Sequence, residues 1–207
     1  YHPGTVLVDE PMLFELPHNK KWEPANYNDE YMGPVVLKRA LAKSLNVISA
    51  KLIFKVKPAE VVKTARKFGF TSPIRENFSL ALGATGASPF ELASAYSTIA
   101  NLGVHIDPFY VSKIEDYQGN VLYEHFVDGE KRFEPEAVYP LLDMMQGVMD
   151  DGSGRVIRRM GFKHPAAGKT GTTNAFRDAW FAGFTKDLTT SVWVGYDDNE
   201  SMYRPND

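Results

Sequence analysis

The amino-acid sequence predicts an α+β domain, with helices in the middle of the chain and an antiparallel sheet at its end. Apolar residues recur at three- and four-residue spacing between residues 34 and 68, which is typical of helices that bury one face. Three β-prone segments separated by turns follow residue 165. The 207 residues are 43% hydrophobic and 24% charged, so the chain can bury a core without metal or disulfide crosslinks. We therefore expect residues 1–207 to form a single domain.

The first half of the chain predicts one strand followed by helices. Residues 1–33 are rich in Pro, Asn and Gly and predict loops, with a β-prone run at residues 5–8. Helical spacing predicts a helix over residues 34–41, which begins with a proline, and a second helix over residues 47–56. A further helix is expected from residue 58 to residue 68, where a glycine ends it.

The second half of the chain carries the clearest local signals. Ser88-Pro89-Phe90-Glu91 is a capping box and predicts a helix that extends to about residue 101. Alternation over residues 110–126 predicts a hairpin, and residues 135–150 predict a helix with Pro140 in its interior, followed by a loop at residues 151–154. Three strands, expected to run antiparallel, complete the chain: residues 166–172, 179–185 and 190–196.

Composition argues against several classes of function. A net charge of −3 is too balanced for a general nucleic-acid or anionic-membrane binder. The absence of cysteine excludes disulfides, cysteine-ligated zinc and a thiol nucleophile. The five histidines lack metal-binding spacing. The two glycine-rich nucleotide-binding motifs, Gly-x-x-x-x-Gly-Lys-Ser/Thr and Gly-x-Gly-x-x-Gly, do not occur in the sequence. We therefore expect no metal, no cofactor and no nucleic-acid partner.

The segment from Lys169 to Thr172 does not follow the pattern of an ordinary strand. It places a lysine, a hydroxyl and a glycine, Gly171, where a strand would alternate apolar side chains, and glycine weakens a strand unless something approaches the backbone closely. On an edge strand, this set suits an extended peptide that pairs with the backbone, while Lys169 and Thr170 hold its terminal carboxylate. The alternative is a β-turn that bears a surface lysine.

A second candidate lies at the junction Ser44-Leu45-Asn46. Serine and asparagine between two helices most often act as caps. In the functional interpretation, Ser44 relays a proton and Asn46 binds a substrate amide. The order of the two motifs favours function, because Ser-x-Asn followed by Lys-Thr-Gly is a known catalytic pairing in penicillin-binding proteins and class A β-lactamases.

The chain resembles the transpeptidase domain of the class A (bifunctional) penicillin-binding proteins over nearly its whole length. The similar segments are residues 34–52 around the Ser-x-Asn motif, Leu80-Ala81-Leu82-Gly83 with Ser88 to Tyr96, and residues 168–198 with Lys169-Thr170-Gly171-Thr172-Thr173-Asn174, Arg177-Asp178-Ala179-Trp180-Phe181 and Trp193-Val194-Gly195-Tyr196-Asp197. The Arg-Asp-Ala-Trp-Phe run is more similar to the class A enzymes than to β-lactamases or monofunctional relatives.

The resemblance implies an antiparallel sheet flanked by helices and an extracytoplasmic D,D-transpeptidase whose parent protein is anchored by an N-terminal membrane helix. Such an enzyme cross-links peptidoglycan stem peptides ending in D-Ala-D-Ala through an acyl-serine and is acylated by β-lactam antibiotics. It implies that Ser44 shuttles a proton, that Asn46 binds a substrate amide and that Lys169 polarises Ser44 and attracts the substrate carboxylate. Thr170 would bind that carboxylate, Gly171 would leave room, and the backbone N–H of Thr172 would form half of the oxyanion hole.

One family motif is absent from the sequence, because no serine is followed by lysine three residues later. In the family, this Ser-x-x-Lys motif carries the nucleophile and lies some tens of residues before Ser-x-Asn, whereas only 43 residues precede Ser44. We expect the motif, the glycan-polymerising domain and the membrane anchor to lie upstream of Tyr1. Without the serine there is no acyl-enzyme, so the chain alone should be inactive. It should also expose apolar surface and need an N-terminal segment, a companion chain or a second copy.

Two other functions remain open on the sequence. The chain could be a non-catalytic module of this fold that binds peptidoglycan peptide or a partner protein, which the missing nucleophile favours. It could also belong to a hydrolase, either a carboxypeptidase or a β-lactamase. The intact Ser-x-Asn and Lys-Thr-Gly motifs argue against a pure binder, because binding alone needs no proton relay.

Overall fold

The computed structural model describes residues 1–203, and it confirms the α+β class. In these residues the helices are α1 (Leu37–Lys43), α2 (Asn46–Val56), α3 (Pro58–Lys67), α4 (Pro89–Ala100), α5 (Pro135–Asp150) and α6 (Val156–Arg159). The strands are β1 (Val6–Asp9), β2 (Phe14–Leu16), β3 (Lys20–Trp22), β4 (Gly33–Val36), β5 (Val104–Ile106), β6 (Lys113–Glu115), β7 (Val121–Glu124), β8 (Gly129–Lys131), β9 (Ala167–Thr172), β10 (Asp178–Phe184) and β11 (Thr189–Gly195). None of the helices described is both long and apolar enough to cross a membrane.

The main sheet contains the three predicted C-terminal strands, which run antiparallel in the order β11-β10-β9. Lys169 is opposite Ala182 and Thr172 is opposite Ala179, so β9 pairs with β10 along its whole length. Because β9 is at the end of this order, its second side is the edge of the sheet within residues 1–203. The Lys-Thr-Gly segment is therefore on an edge strand, as its functional interpretation required, and not in a β-turn.

The capping box at the start of α4 is confirmed. The Ser88 hydroxyl accepts from the Glu91 N–H at 3.2 Å, and the Glu91 carboxylate accepts from the Ser88 N–H at 3.2 Å. The same carboxylate accepts four hydrogen bonds from the backbone and hydroxyls of Thr71 and Ser72. Burial raises the pKa of Glu91, but these hydrogen bonds outweigh burial and hold the pKa well below its usual range.

The predicted helix over residues 34–41 is wrong at its start. Residues Gly33–Val36 form β4 and pair with β1, with Pro34 opposite Val8. A two-stranded ladder leaves one side of each strand unpaired, so Pro34 can occupy a strand without breaking a hydrogen bond. Val35 is buried beneath α1 and α2 in a cluster with Ala40, Leu45 and Ile48, which explains why this segment resembles the apolar face of a helix.

Several short elements were not predicted. The strand pairs β2–β3 and β5–β8 have three residues in each strand, and α6 has four. Segments this short show too few alternations for periodicity to identify them. The β6–β7 hairpin, in contrast, lies where the sequence predicted it, with the Asp116 carboxylate accepting from the backbone N–H groups of Gln118 and Asn120 in the turn.

Helix α5 connects the helical part of the molecule to the main sheet. Its Val138 and Met145 pack with Ile99 of α4 and with Ala167 and Phe184 of the sheet in one buried cluster. On its other side it lies against α1, where Lys38 Nζ and an Asp143 carboxylate oxygen are 2.8 Å apart. This packing holds the end of α1, which carries the Ser-x-Asn motif, next to the edge strand β9.

Candidate active site

The structure brings the two sequence motifs together at the edge of the main sheet. Lys169 Nζ donates to Ser44 Oγ at 2.8 Å, although the two residues are 125 positions apart in the chain. The same ammonium donates to the Thr170 carbonyl oxygen at 2.8 Å. Ser44 is exposed and Lys169 is partly buried, so the serine hydroxyl is open to a ligand while the lysine approaches it from within the protein.

Ser44 is held in a left-handed conformation, with φ 59° and ψ 46°. This conformation is uncommon for a residue with a Cβ. It ends α1, because the N–H of Ser44 bonds to Leu41 O at 3.1 Å and the N–H of Leu45 bonds to Ala40 O at 3.0 Å. The second bond is typical of a Schellman motif, in which the left-handed residue is usually glycine or asparagine. Ser44 thus ends the helix through its backbone, and its side chain is free to bond to Lys169.

Asn46 begins α2 but does not cap it. The residue at the N-cap position of α2 is Leu45, whose side chain makes no capping hydrogen bond. The Val47 N–H of the first turn donates to Asn26 Oδ1 at 3.2 Å. Asn46 Nδ2 instead donates to the carbonyl oxygen of Ala25 at 2.9 Å. The cap interpretation therefore holds for Ser44, whose backbone caps the C-terminus of α1, and is wrong for Asn46. Neither the Ser44 hydroxyl nor the Asn46 amide bonds to the start of α2.

Lys169 has an altered proton affinity. Burial lowers the pKa of its ammonium to about 8, from the usual value of 10.5. At neutral pH the group is charged and can attract an anion, yet it is close to the range in which it loses its proton. A lysine of this kind is suited both to holding a carboxylate and to polarising a neighbouring hydroxyl.

The glycines of β9 allow close packing of the sheet. A Cβ at Gly168 would lie 2.8 Å from Ala182 O, and a Cβ at Gly171 would lie 3.2 Å from Trp180 Cβ. The sequence analysis expected that some group approaches the backbone of β9 closely at its glycines. In the structure, the neighbouring strand β10 makes this close approach.

The end of β9 is fixed by a carboxylate from β10. Asp178 accepts from the Thr173 hydroxyl at 3.0 Å and from the indole N–H of Trp193 at 2.9 Å. The Asp178 N–H also donates to Thr173 Oγ1 at 2.8 Å. These bonds hold the strand directly after Thr172, whose backbone N–H would form half of the oxyanion hole by the family resemblance.

One polar neighbour of the site was missed by sequence reasoning. Ser153 Oγ lies 2.5 Å from Thr170 Oγ1, and the Ser153 N–H donates to Ala42 O at 3.0 Å. The sequence indicated only a loop at residues 151–154. The sequence feature that could have indicated Ser153 is its position between Gly152 and Gly154. Glycines on both sides allow a loop to pack closely on other elements.

A cavity of about 710 Å³ adjoins this strand end. Gly171 and Thr172 form one wall of it, and the remaining lining is mainly apolar: Leu80, Leu82, Leu92, Trp180 and Trp193. Apolar surface of this extent next to a polar site is typical of a surface that another segment or molecule covers.

A family model described as the penicillin binding protein transpeptidase domain matches residues 7–203. The chain is 40% identical over 200 residues to penicillin-binding protein 1A of Aquifex aeolicus. The aligned region covers 96% of this chain and 27% of that protein. It is 34% identical over 211 residues to penicillin-binding protein 2D of Bacillus subtilis, and this aligned region covers 98% of this chain and 30% of that protein. The chain thus spans about a quarter to a third of the length of these relatives.

Solved structures agree with these relatives. The crystal structure of penicillin-binding protein 1A from Haemophilus influenzae superposes with a TM-score of 0.92 at 27% identity and covers 99% of this chain and 36% of that chain. The structure of PonA1 from Mycobacterium tuberculosis in complex with penicillin V has a TM-score of 0.78 at 25% identity and covers 97% of this chain and 56% of that chain.

Proposed function

Because the chain belongs to the transpeptidase domain family of the class A penicillin-binding proteins, we propose that it supplies the Ser-x-Asn and Lys-Thr-Gly part of a D,D-transpeptidase site. The substrates would be peptidoglycan stem peptides ending in D-Ala-D-Ala, and β-lactams would acylate the same site outside the cytoplasm. The observation that carries this proposal is the 2.8 Å hydrogen bond between Lys169 and Ser44. A binding module would have no need of a lysine aimed at a serine hydroxyl.

In the proposed mechanism, the substrate lies as an extended strand along the free edge of β9. Lys169 is charged at neutral pH and attracts the terminal carboxylate, and Thr170 donates a hydrogen bond to it. Asn46 Nδ2 is already bound to Ala25 O, which leaves the amide oxygen to accept a substrate N–H. The Thr172 N–H would stabilise the oxyanion that forms during acyl transfer.

The proton path runs through Ser44. Its hydroxyl accepts from Lys169, so it can deliver its own proton to the leaving amine and be reprotonated through the lysine. The nucleophile itself has to come from a Ser-x-x-Lys motif, which the 207 residues do not contain. We therefore propose that the chain acts together with an upstream segment or a companion chain that carries this motif and a membrane anchor.

The apolar cavity beside Gly171 and Thr172 supports the need for such a companion. Its volume of about 710 Å³ is ample for several large side chains of a covering helix. A nucleophile placed there would be adjacent to the Thr172 N–H, which the proposed mechanism requires.

Covalent labelling with a fluorescent β-lactam tests the proposed function. We expect the complete natural gene product to be labelled and the 207-residue chain alone to remain unlabelled. In the complete protein, Ser44→Ala should slow labelling by about 10²–10⁴-fold, because it removes the proton relay. Ser97→Ala, which removes a hydroxyl that bonds only to Ser94 O on α4, is the matched control.

Two other labelling results would indicate one of the alternative functions. A complete protein that contains Ser-x-x-Lys and is never labelled would indicate the non-catalytic binding module. Labelling followed by rapid loss of the label would indicate a hydrolase.

A further inference from the structure

The loop after α5 contacts both motif-bearing elements of the site. The Ser153 N–H donates to Ala42 O at 3.0 Å, two residues before Ser44, and Ser153 Oγ lies 2.5 Å from Thr170 Oγ1. The same loop is joined to α1 by an ion pair, in which Lys43 Nζ is 3.3 Å from an Asp151 carboxylate oxygen. Ser153 thus links the end of α1 to the edge strand β9.

The backbone of this loop is tightly fixed. A Cβ at Gly152 would lie 2.3 Å from Ala42 O and 2.6 Å from Val148 Cα, so no larger residue fits there without a shift of the backbone. The Gly154 N–H donates to Val148 O at 3.0 Å. Because the residues on both sides are held, the Ser153 hydroxyl is presented to Thr170 in one position rather than moving freely.

The Ser153–Thr170 contact couples the direction of the Thr170 proton to that of the Ser153 proton. Each hydroxyl has one proton, and at 2.5 Å one of the two must be the donor. If Thr170 donated to Ser153, its proton would be unavailable to a substrate. If Ser153 donates to Thr170, the Thr170 proton is free for a carboxylate, and the chain of two hydrogen bonds strengthens that donation. A substrate carboxylate attracted by the Lys169 ammonium would favour the second arrangement.

We propose that Ser153 is a positioning residue that sets specificity for the substrate carboxylate, by donating its proton to Thr170 Oγ1 and directing the Thr170 proton outwards. This inference rests on the proposed function, because it assumes that a carboxylate-bearing substrate lies along β9. Ser153 itself need not touch the substrate. Its contribution should therefore be seen only with ligands that carry the carboxylate.

The test compares one β-lactam in two forms, with its free carboxylate and as the methyl ester, on the complete natural gene product. We expect Ser153→Ala to slow acylation by the free acid about tenfold, which is the contribution of one hydrogen bond, and to leave acylation by the ester unchanged. Ser153→Thr keeps the hydroxyl and should retain the wild-type preference. Ser112→Ala, at an exposed serine before β6, is the control for loss of a serine hydroxyl.

A double-mutant cycle separates positioning from general damage. Because Ser153 is proposed to act through Thr170, the free acid should acylate the Ser153→Ala/Thr170→Ala variant no more slowly than it acylates Thr170→Ala alone. Equal slowing with acid and ester, or no slowing with either, would overturn the proposal.

If Ser153→Ala does not fold, Ser153→Gly provides a second variant without the hydroxyl. A wild-type protein that no β-lactam acylates would reject the proposed function itself, whereas normal acylation with an unchanged acid-to-ester ratio in Ser153→Ala would reject only this inference.

Discussion

Ser44 combines a backbone role with a chemical one. Its left-handed conformation ends α1, and glycine would adopt that conformation at lower cost. The position is nevertheless a serine whose Oγ accepts from Lys169. A residue that strains the backbone by about 1 kcal/mol where glycine would not is best explained by the need for its side chain, which agrees with the proposed proton relay.

The lowered pKa of Lys169 gives a pH dependence with a definite sign. The free ammonium has a pKa of about 8 because of burial, so it is charged below that pH and neutral above it. If the charge attracts the substrate carboxylate, second-order acylation of the complete protein by a carboxylate-bearing β-lactam should fall as pH rises through about 8. The measurement is the acylation rate constant between pH 6 and about 10.

Lys169→Arg provides the control for this pH profile. Arginine stays protonated throughout that range, so the alkaline decline should disappear even if the absolute rate is lower. An alkaline decline with the same midpoint in Lys169→Arg would assign it to another group. Lys186→Ala, at an exposed lysine in the β10–β11 turn, should leave the profile unchanged.

At the level of single residues, the sequence predicted the pair Ser44 and Lys169 but not Ser153. The pair could be found because each residue belongs to a short motif with a chemical meaning. Ser153 has no such motif, and its importance depends on a contact with Thr170 that the fold creates across 17 positions. A hydrogen bond between side chains of different elements is not encoded in local spacing.

The elements of the site depend on how the last strands are joined. Asp178 at the start of β10 bonds to Thr173 after β9 and to Trp193 of β11. One carboxylate thus connects all three strands of the main sheet at the end where Thr172 lies. The Arg-Asp-Ala-Trp-Phe run therefore has a structural reason for its aspartate.

Removal of this carboxylate should affect acylation more than folding. In the complete protein, we expect Asp178→Ala to slow β-lactam acylation on the order of 10- to 100-fold, because a small displacement of the Thr172 N–H weakens oxyanion stabilisation. Trp193→Phe, which removes the indole N–H and reduces the ring size but leaves the Asp178 carboxylate in place, should have a smaller effect in the same direction. Trp22→Phe in the β2–β3 hairpin, whose ring packs against Phe14 and Phe54, is the control. An acylation rate for Asp178→Ala equal to that of the wild type would refute this role.

The elements that sequence reasoning identified are those with long periodic patterns or specific end signals. Helix α4 was predicted at its first residue because Ser88 and Glu91 form a capping box. The start of α1 was misplaced because β4 has the same apolar composition as a helix face. Only its pairing with β1, between residues 24 to 30 positions apart, distinguishes it. That pairing is a tertiary interaction, which local propensity does not contain.

For the molecule as a whole, the site exists because α5 packs against both α1 and the main sheet. The buried cluster of Val138, Met145, Ala167 and Phe184 fixes α5 on β9 and β10, and the Lys38–Asp143 ion pair lies at its contact with α1. The ion pair is partly exposed to solvent and contributes little, so apolar packing sets the distance between the two motifs. This arrangement predicts that the Ser44–Lys169 contact survives at high salt.

The cavity beside Gly171 and Thr172 leads to a prediction about the chain in isolation. Its walls carry Leu80, Leu92 and Trp180, and water in contact with such a surface is unfavourable. We therefore expect the 207-residue chain alone to bind a fluorescent apolar dye strongly, to self-associate in sedimentation experiments and to melt without a sharp transition. The complete natural gene product should bind the dye weakly, because the proposed upstream helix covers the cavity.

Two variants test whether the dye binds at this cavity. Leu80→Asp should weaken dye binding to the isolated chain, whereas Leu122→Asp, on the exposed β7 strand, should leave dye binding at this cavity unchanged. A monomeric isolated chain with a cooperative melt and no dye binding would show that the domain needs no companion, and the source of the nucleophile would then have to be sought elsewhere.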